Sequence, residues 1–155
     1  MKTFIVINGP NLNRLGVREP DIYGSRTLAD LQDSLDDLSA HYGCRIEQKQ
    51  SNHEGTIIDW IHDAADHASG IVLNAGAFTH YSYAIRDAVG SVSVPVIEVH
   101  ISNIHARETF RHHSVLSPVV NGQIVGLGFL GYTLAIQALL EITGSAGENE
   151  YCDNQ

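Results

Sequence analysis

Apolar runs too short for anything but strands alternate five times with helical patterns, and that alternation leaves the chain few folds. Thr3–Asn8 is a β-branched apolar run that stops at Asn8-Gly9-Pro10. Leu28, Leu31, Leu35, Leu38 and Tyr42 recur at helical spacing, with Thr27 in the N-cap position and Gly43 just past the end. Arg45–Gln50 alternates as an edge strand does, with Cys44 and Ile46 turned inward. Ile57, Ile58, Ile61, Ala64, Ala65 and Ala68 predict a second helix closed by Gly70, and 71–73 is a brief buried strand. A third helix is expected over about 80–89, stopped by Gly90. Pro95 opens the strand Val96–His100 at the place where a strand tolerates proline. The pattern ends with a strand over 123–127 and a nearly all-apolar helix over 132–142.

Strand-helix units joined by short connections predict an α/β fold: a flavodoxin-like, doubly wound, five-stranded parallel sheet of order 2-1-3-4-5 with helices on both faces. One catalytic domain is expected over 1–143, followed by a loose polar tail over 144–155. The net charge is −9, from 9 Lys and Arg against 18 Asp and Glu, which argues against nucleic acid and anionic membranes as partners. No apolar run reaches the roughly 18–20 residues of a membrane span. Only Cys44 and Cys152 could pair, and the N-terminus lacks a signal-peptide core, so a reducing, cytoplasmic home is expected.

In a sheet of this kind ligands bind beyond the carboxyl ends of the strands. Those ends read Asn8-Gly9-Pro10-Asn11, Ser51-Asn52-His53-Glu54, Asn74-Ala75-Gly76-Ala77 and Glu98-Val99-His100-Ile101-Ser102-Asn103. Asn8, Gly9 and Gly76 are read as ordinary strand-terminating turn residues. The four rims together hold more amides, imidazoles and carboxylates than turns require. The segment 9–25 has no periodicity and no helix signal, so it reads as a lid that carries Arg14, Arg18 and Tyr23, with possible hinges at Gly16 and Gly24. Tyr23 is as well explained by anchoring the loop as by catalysis.

Several chemistries lack candidates. Gly126-Leu127-Gly128-Phe129-Leu130-Gly131 matches the dinucleotide glycine pattern, yet no later strand is left to carry a ribose-binding acid, so these glycines read as a tight turn and close packing. There is no P-loop and no nucleophile elbow. The only lysines are Lys2, at the wrong end of strand one, and Lys49, near the sheet edge, which leaves a Schiff base almost without a candidate. Among nine histidines, His100, His105, His112 and His113 cluster without metal-ligand spacing, while His41, His62 and His67 read as solvated helix residues. Glu98 and His100, two apart on a strand, share a face, which suits a carboxylate orienting an imidazole. A flavin or nucleotide module would need a Ser/Thr-rich phosphate loop after strand one, and a receiver domain would need an acidic rim. Neither is present.

Four segments resemble type II 3-dehydroquinate dehydratase: 8–24 (NGPNLNRLGVREPDIYG), 50–55 (QSNHEG), 74–80 (NAGAFTH) and 98–111 (EVHISNIHARETFR). They fall in order over nearly the whole chain. The resemblance implies dehydration of 3-dehydroquinate, a small anion, to 3-dehydroshikimate through an enolate in the shikimate pathway, with no metal, cofactor or Schiff base. By that likeness Tyr23 is the base, Arg18 and Arg107 stabilise the tyrosinate, and His100, held by Glu98, is the acid. Asn11 holds a water at the enolate oxygen. Asn74, His80 and Arg111 bind ring hydroxyls, and the backbone amides of Ile101 and Ser102 cradle the carboxylate. Asp87 reaches the site of a neighbouring subunit, in a homododecamer built of four trimers. Arg14, Ala75, Tyr81 and Tyr83 depart from the commoner family pattern. Phe110, Phe129 and Tyr132 are expected to leave an apolar surface for association.

The physical case for two arginines is quantitative. Tyrosine's ordinary pKa of ~10 leaves it protonated at neutrality, and a neighbouring cation lowers a pKa by ~1–3. One guanidinium barely suffices and two do. Arginine also keeps its own proton beside an anion, where lysine can lose one.

Overall fold

Five parallel strands form one sheet in the order β2-β1-β3-β4-β5, in the computed structural model of the chain. The structure describes residues 1–144, apart from Arg18 and the side chain of Tyr23. The strands are β1 (Thr3–Asn8), β2 (Arg45–Gln50), β3 (Gly70–Asn74), β4 (Val96–His100) and β5 (Gly122–Val125). Alternation along them sorts two cores. Phe4 and Val6 pack with Leu31 and Leu35 of α2 (Leu28–Tyr42) and with Tyr132, Ile136 and Leu139 of α5 (Leu130–Gly144). Ile5 and Ile7 face the other way, onto Ile57 and Ile61 of α3 (Glu54–His67) and Ile85 and Val89 of α4 (Tyr83–Ser91). Helices therefore cover both faces, as the sequence pattern predicts. Among the described residues no helix is long and apolar enough to cross a membrane.

The capping signals at α2 act as the sequence implies. Thr27 and Asp30 form a reciprocal capping box, and Gly43 ends the helix at φ 64°. Cys44 and Ile46 are both buried, and His41, His62 and His67 are exposed.

Other boundaries differ. The third helix is split: a 3-10 turn occupies Gly76–His80, and Ser82 then caps α4 by accepting from the Ile85 amide at 3.0 Å. The Ser82 hydroxyl donates to Glu54 at 2.6 Å, which fixes the start of α4 against α3, and Gly90 lies inside the helix instead of stopping it. Gly70 opens β3 and does not close α3; its bare Cα leaves room for Leu139. β5 ends at Val125 because Gly126 turns to φ 86°, and α5 starts two residues earlier than expected. The expected lid is not without helix: Leu12–Arg14 form a 3-10 turn and Pro20–Tyr23 a single helical turn, α1. Of the tail expected over 144–155, Gly144 belongs to α5, and 145–155, with Cys152, lie outside the described residues.

The apolar surface expected from Phe110, Phe129 and Tyr132 is corrected in part. Phe110 is 58% exposed, but Phe129 and Tyr132 belong to the core, because the Gly128–Gly131 turn directs the first turn of α5 onto the sheet. Gly131 packs against Val99, where a Cβ would sit 3.2 Å from that side chain.

Gly9 does more than end a strand. Its amide donates to the Asn74 carbonyl at 2.7 Å, and a Cβ there would lie 2.6 Å from the backbone of Ala75. Two loops touch at this point and neither can yield cheaply. Gly9→Ala is expected to lower unfolding free energy by about 1–3 kcal/mol, as overpacking does, with urea denaturation as the measurement.

Candidate active site

The sheet order reverses between β1 and β3, so the chain leaves these neighbouring strands in diverging directions and a crevice opens beyond their carboxyl ends. That crevice is floored and walled by Asn11, Asn74, His80, His100, Ile101, Ser102, Arg107 and Arg111, with Pro10, Leu12, Gly76, Ala77 and Ile104. It adjoins a wider recess of about 460 Å³ that shares Ile101, Ser102 and Arg107 and is bounded by Ile22 and Gly24 of the lid. Eight of the residues singled out in the sequence thus converge. Glu98 lies directly behind them.

His100 and Glu98 leave β4 on one face, as their spacing requires. The His100 Nε2–H donates to Glu98 Oε2 at 2.5 Å. A carboxylate accepts and does not donate, so the hydrogen sits on Nε2 and the ring edge left for the cleft is Nδ1. Glu98 has no solvent exposure and is held by other donors as well. The Ser114 hydroxyl lies 3.0 Å and the Gln123 amide 2.8 Å from Oε2. Ser114 is oriented in turn by the amides of Leu116 and Ser117, each at 3.1 Å. Burying a carboxylate costs several kcal/mol unless its lone pairs are satisfied, and here they are. Sequence reasoning missed both supporting residues. Gln123 stands opposite Glu98 across the β4–β5 pairing, a register that the strand patterns leave unspecified. Ser114 lies in irregular chain and offers no pattern at all.

His80 stands beside His100, with ring centroids 6.5 Å apart. Its Nδ1–H donates to the His113 carbonyl at 2.8 Å. Burial pushes its pKa below the ordinary histidine value, against the pull of the His113 carbonyl, and neighbouring His100 and Arg111 act in the same lowering direction. The Arg111 guanidinium covers the Phe110 ring at 4.7 Å and donates to Glu108, whose carboxyl it holds below the usual range. Arg107 reaches across the cleft floor: Nη1 is 3.4 Å from Ser102 Oγ, and Nη2 is 3.5 Å from Glu19 at the start of α1. This ion pair ties the lid to the segment after β4.

Asn11 adopts a left-handed conformation at φ 67°, and its amide donates to Asn52 at 3.0 Å. The rim after β2 therefore braces the β1 loop, and His53 is not among the cleft residues. Gly16, at φ 87°, is packed so closely that a Cβ would lie 2.8 Å from the Ser25 carbonyl, whereas a Cβ at Gly24 would meet nothing within 4 Å. Only Gly24 has the open space of a hinge. Arg18 and the Tyr23 side chain lie outside the described residues. Asp87 is exposed on α4 and does not line this chain's own cleft. Neither lysine approaches the site: Lys2 donates to Thr143 and Lys49 covers Trp60. Among the described residues no three His, Cys, Asp or Glu side chains gather as a metal would require.

The family model for class II dehydroquinase matches residues 2–140. The chain belongs to the class II dehydroquinases. The 3-dehydroquinate dehydratase of Halalkalibacterium halodurans is 66% identical over 141 residues, covering 91% of this chain and 97% of that one. That of Anoxybacillus flavithermus is 59% identical over 148 residues, 96% of this chain and all of the relative. Among solved structures, the type II dehydroquinase of Butyrivibrio crossotus superposes with a TM-score of 0.87 at 54% identity, covering 89% of this chain and 97% of that one. That of Propionibacterium acnes gives 0.88 at 49%, covering 91% and 97%. As a class II dehydroquinase the chain is a type II 3-dehydroquinate dehydratase by family, with the expected strand order.

A histidine whose pKa is depressed by folding makes the native state bind fewer protons than the unfolded chain. The stability held above the unfolded pKa of ~6.5 is therefore lost as pH falls through the lower folded value. Between pH 7.5 and 5.5, His80→Gln is expected to lose less stability than the wild type, as read from urea unfolding at the two pH values.

Proposed function

We propose that this class II dehydroquinase removes water from 3-dehydroquinate, giving 3-dehydroshikimate, and that it does so through an enolate with a tyrosinate base and an imidazolium acid. The observation that carries the acid half is His100 at the cleft wall, its Nε2–H committed to buried Glu98 and its Nδ1 edge left for substrate. Tyr23, in α1 on the lid, takes a proton from the carbon next to the ketone, and the C–H electron pair becomes the enolate double bond. The enolate then collapses, its electrons form the ring double bond, and the C–O bond to the departing hydroxyl breaks. A proton from His100 Nδ1 turns that hydroxyl into water.

Arg18 and Arg107 supply the positive charge that a tyrosinate needs, and Arg107 already reaches the lid at Glu19. Asn11 orients a water at the enolate oxygen; oriented donors of this sort are worth about 3–4 kcal/mol each in related sites. The Ile101 and Ser102 amides hold the substrate carboxylate, and Asn74, His80 and Arg111 bind its ring hydroxyls. Lys2 and Lys49 both stand away from the cleft, which favours an enolate over a Schiff base.

In this reading residues 1–143 form the catalytic domain, the enzyme is cytoplasmic, and it works as a dodecamer of four trimers. Tyr83 and Asp87 are four apart on α4 and both exposed, so they share a helix face. Contact through that face brings Asp87 to the cleft of the neighbouring subunit.

Mixing the protein with 3-dehydroquinate should raise the ultraviolet absorbance of a conjugated enone. Tyr23→Phe should fold normally and lower kcat by about 10²-fold or more, on the scale of general acid–base catalysis. Near-normal turnover in that variant removes Tyr23 as the base. Borohydride added with substrate should leave activity intact, and irreversible loss would point to a lysine adduct.

A further inference from the structure

The nearly all-apolar helix α5 carries a buried phenol in its first turn. Tyr132 has no solvent exposure, and its hydroxyl sits between two side-chain amides. It donates to Asn8 Oδ1 at 2.6 Å and accepts from Asn74 Nδ2 at 2.9 Å. A buried hydroxyl is costly unless it is bonded, so its presence requires a reason. We propose that Tyr132 is a positioning residue for substrate binding, its hydroxyl fixing which way round the Asn74 amide stands at the cleft wall. Tyr132 acts through Asn74, so the inference rests on Asn74 being a ligand of the substrate's ring hydroxyls.

The direction of every hydrogen in this chain is set by backbone groups at its two ends. At the cleft end the Gly76 amide, which can only donate, points to Asn74 Oδ1 at 3.2 Å. Asn74 must then turn its nitrogen to Tyr132. At the far end Gln48 Nε2 lies 3.3 Å from the Leu28 carbonyl, which can only accept. Gln48 Oε1 therefore faces Asn8, whose Nδ2 donates to it at 3.0 Å, and Asn8 Oδ1 is left to take the phenol hydrogen. One arrangement satisfies all of these groups, with the Tyr132 lone pair on Asn74. Burial pushes the phenol's pKa up, which keeps it a neutral donor and acceptor. An amide nitrogen carries two hydrogens. One is committed to Tyr132, and the other is what the Asn74 nitrogen has to offer a ligand. Without the phenol hydroxyl, the 3.2 Å bond from Gly76 alone would orient the amide.

A purely structural role predicts a different outcome. Then the chain only ties β1, β3 and α5 together, and cutting it costs stability without touching substrate affinity. Tyr132→Phe, Asn74→Ala and the double variant separate the two on the dehydration reaction, with Ile136→Val as a core control on the same helix. Tyr132→Phe is expected to raise KM on the order of three- to tenfold, the value of one neutral hydrogen bond. Its kcat is expected to stay within about twofold, as for a residue that acts on binding through a ligand of hydroxyls that stay on the ring. In the double variant KM should equal that of Asn74→Ala alone, since the phenol has nothing left to orient. Ile136→Val should lower Tm and leave KM unchanged. An unchanged KM in Tyr132→Phe, or effects that multiply in the double variant, overturns the proposal. An unchanged KM in Asn74→Ala instead rejects Asn74 as a ligand, and the role of Tyr132 falls with it. If Tyr132→Phe does not fold, Asn8→Leu keeps the phenol and removes the acceptor of its hydrogen; the same rise in KM is expected, and its absence overturns the proposal.

Discussion

Two loops leave the middle of the sheet so close together that one of them has no room for a β-carbon. Gly9 lies against the backbone of Ala75, and its amide is bonded to the Asn74 carbonyl. This contact spans the point where the strand order reverses, and from it the chain diverges. The segment after β1 goes to the lid, the segment after β3 to the turn that carries His80, and the segment after β4 supplies the opposite wall. The cleft exists because of that divergence. Its edges are fixed because the crossing is close-packed.

Two buried polar systems then give the walls their chemistry. Behind β4 a carboxylate with no access to water gathers donors from Ser114, Gln123 and His100. Hydrogen bonds to charged groups contribute about 1.5–3 kcal/mol each, which offsets the cost of burial and leaves the imidazole little freedom. Between β1 and β3 the second system is neutral, running from Gly76 through Asn74, Tyr132 and Asn8 to Gln48. The two differ in kind: an ionic group holding His100, and a neutral chain that orients the Asn74 amide at the cleft wall. The chain's net charge of −9 repels an anionic substrate at long range. Arg107 and Arg111, both lining the cleft, act against that field at short range.

The strands and helices are legible because hydrophobic period and capping chemistry are local, and their alternation with short connections implies the parallel sheet covered on both faces. Thr27 and Gly43 mark the two ends of α2. Glu98 and His100 were legible for the same reason, since spacing on one strand fixes a shared face. What the sequence hid depends on pairing between distant segments. Gln123 matters only because of the β4–β5 register, and Ser114 only because an irregular stretch folds behind Glu98. Asn8 looked like a strand terminator, yet its side chain is buried and bonded at both ends. Phe129 and Tyr132 looked like surface because the turn that tips α5 inward depends on positive φ at Gly126 and Gly128. The third helix starts later than its spacing predicts because Ser82, a weak local cap, is completed by Glu54 from another helix.

Gly16 and Ser25 meet so tightly that the segment between them begins and ends at nearly one point. A loop with touching feet has already met the entropic cost of closing on itself. The segment can therefore rearrange without pulling on β1 or α2, once the Arg107–Glu19 ion pair opens. The covering segment thus joins the catalytic framework at two places, a pinch where only glycine fits and the Arg107–Glu19 ion pair.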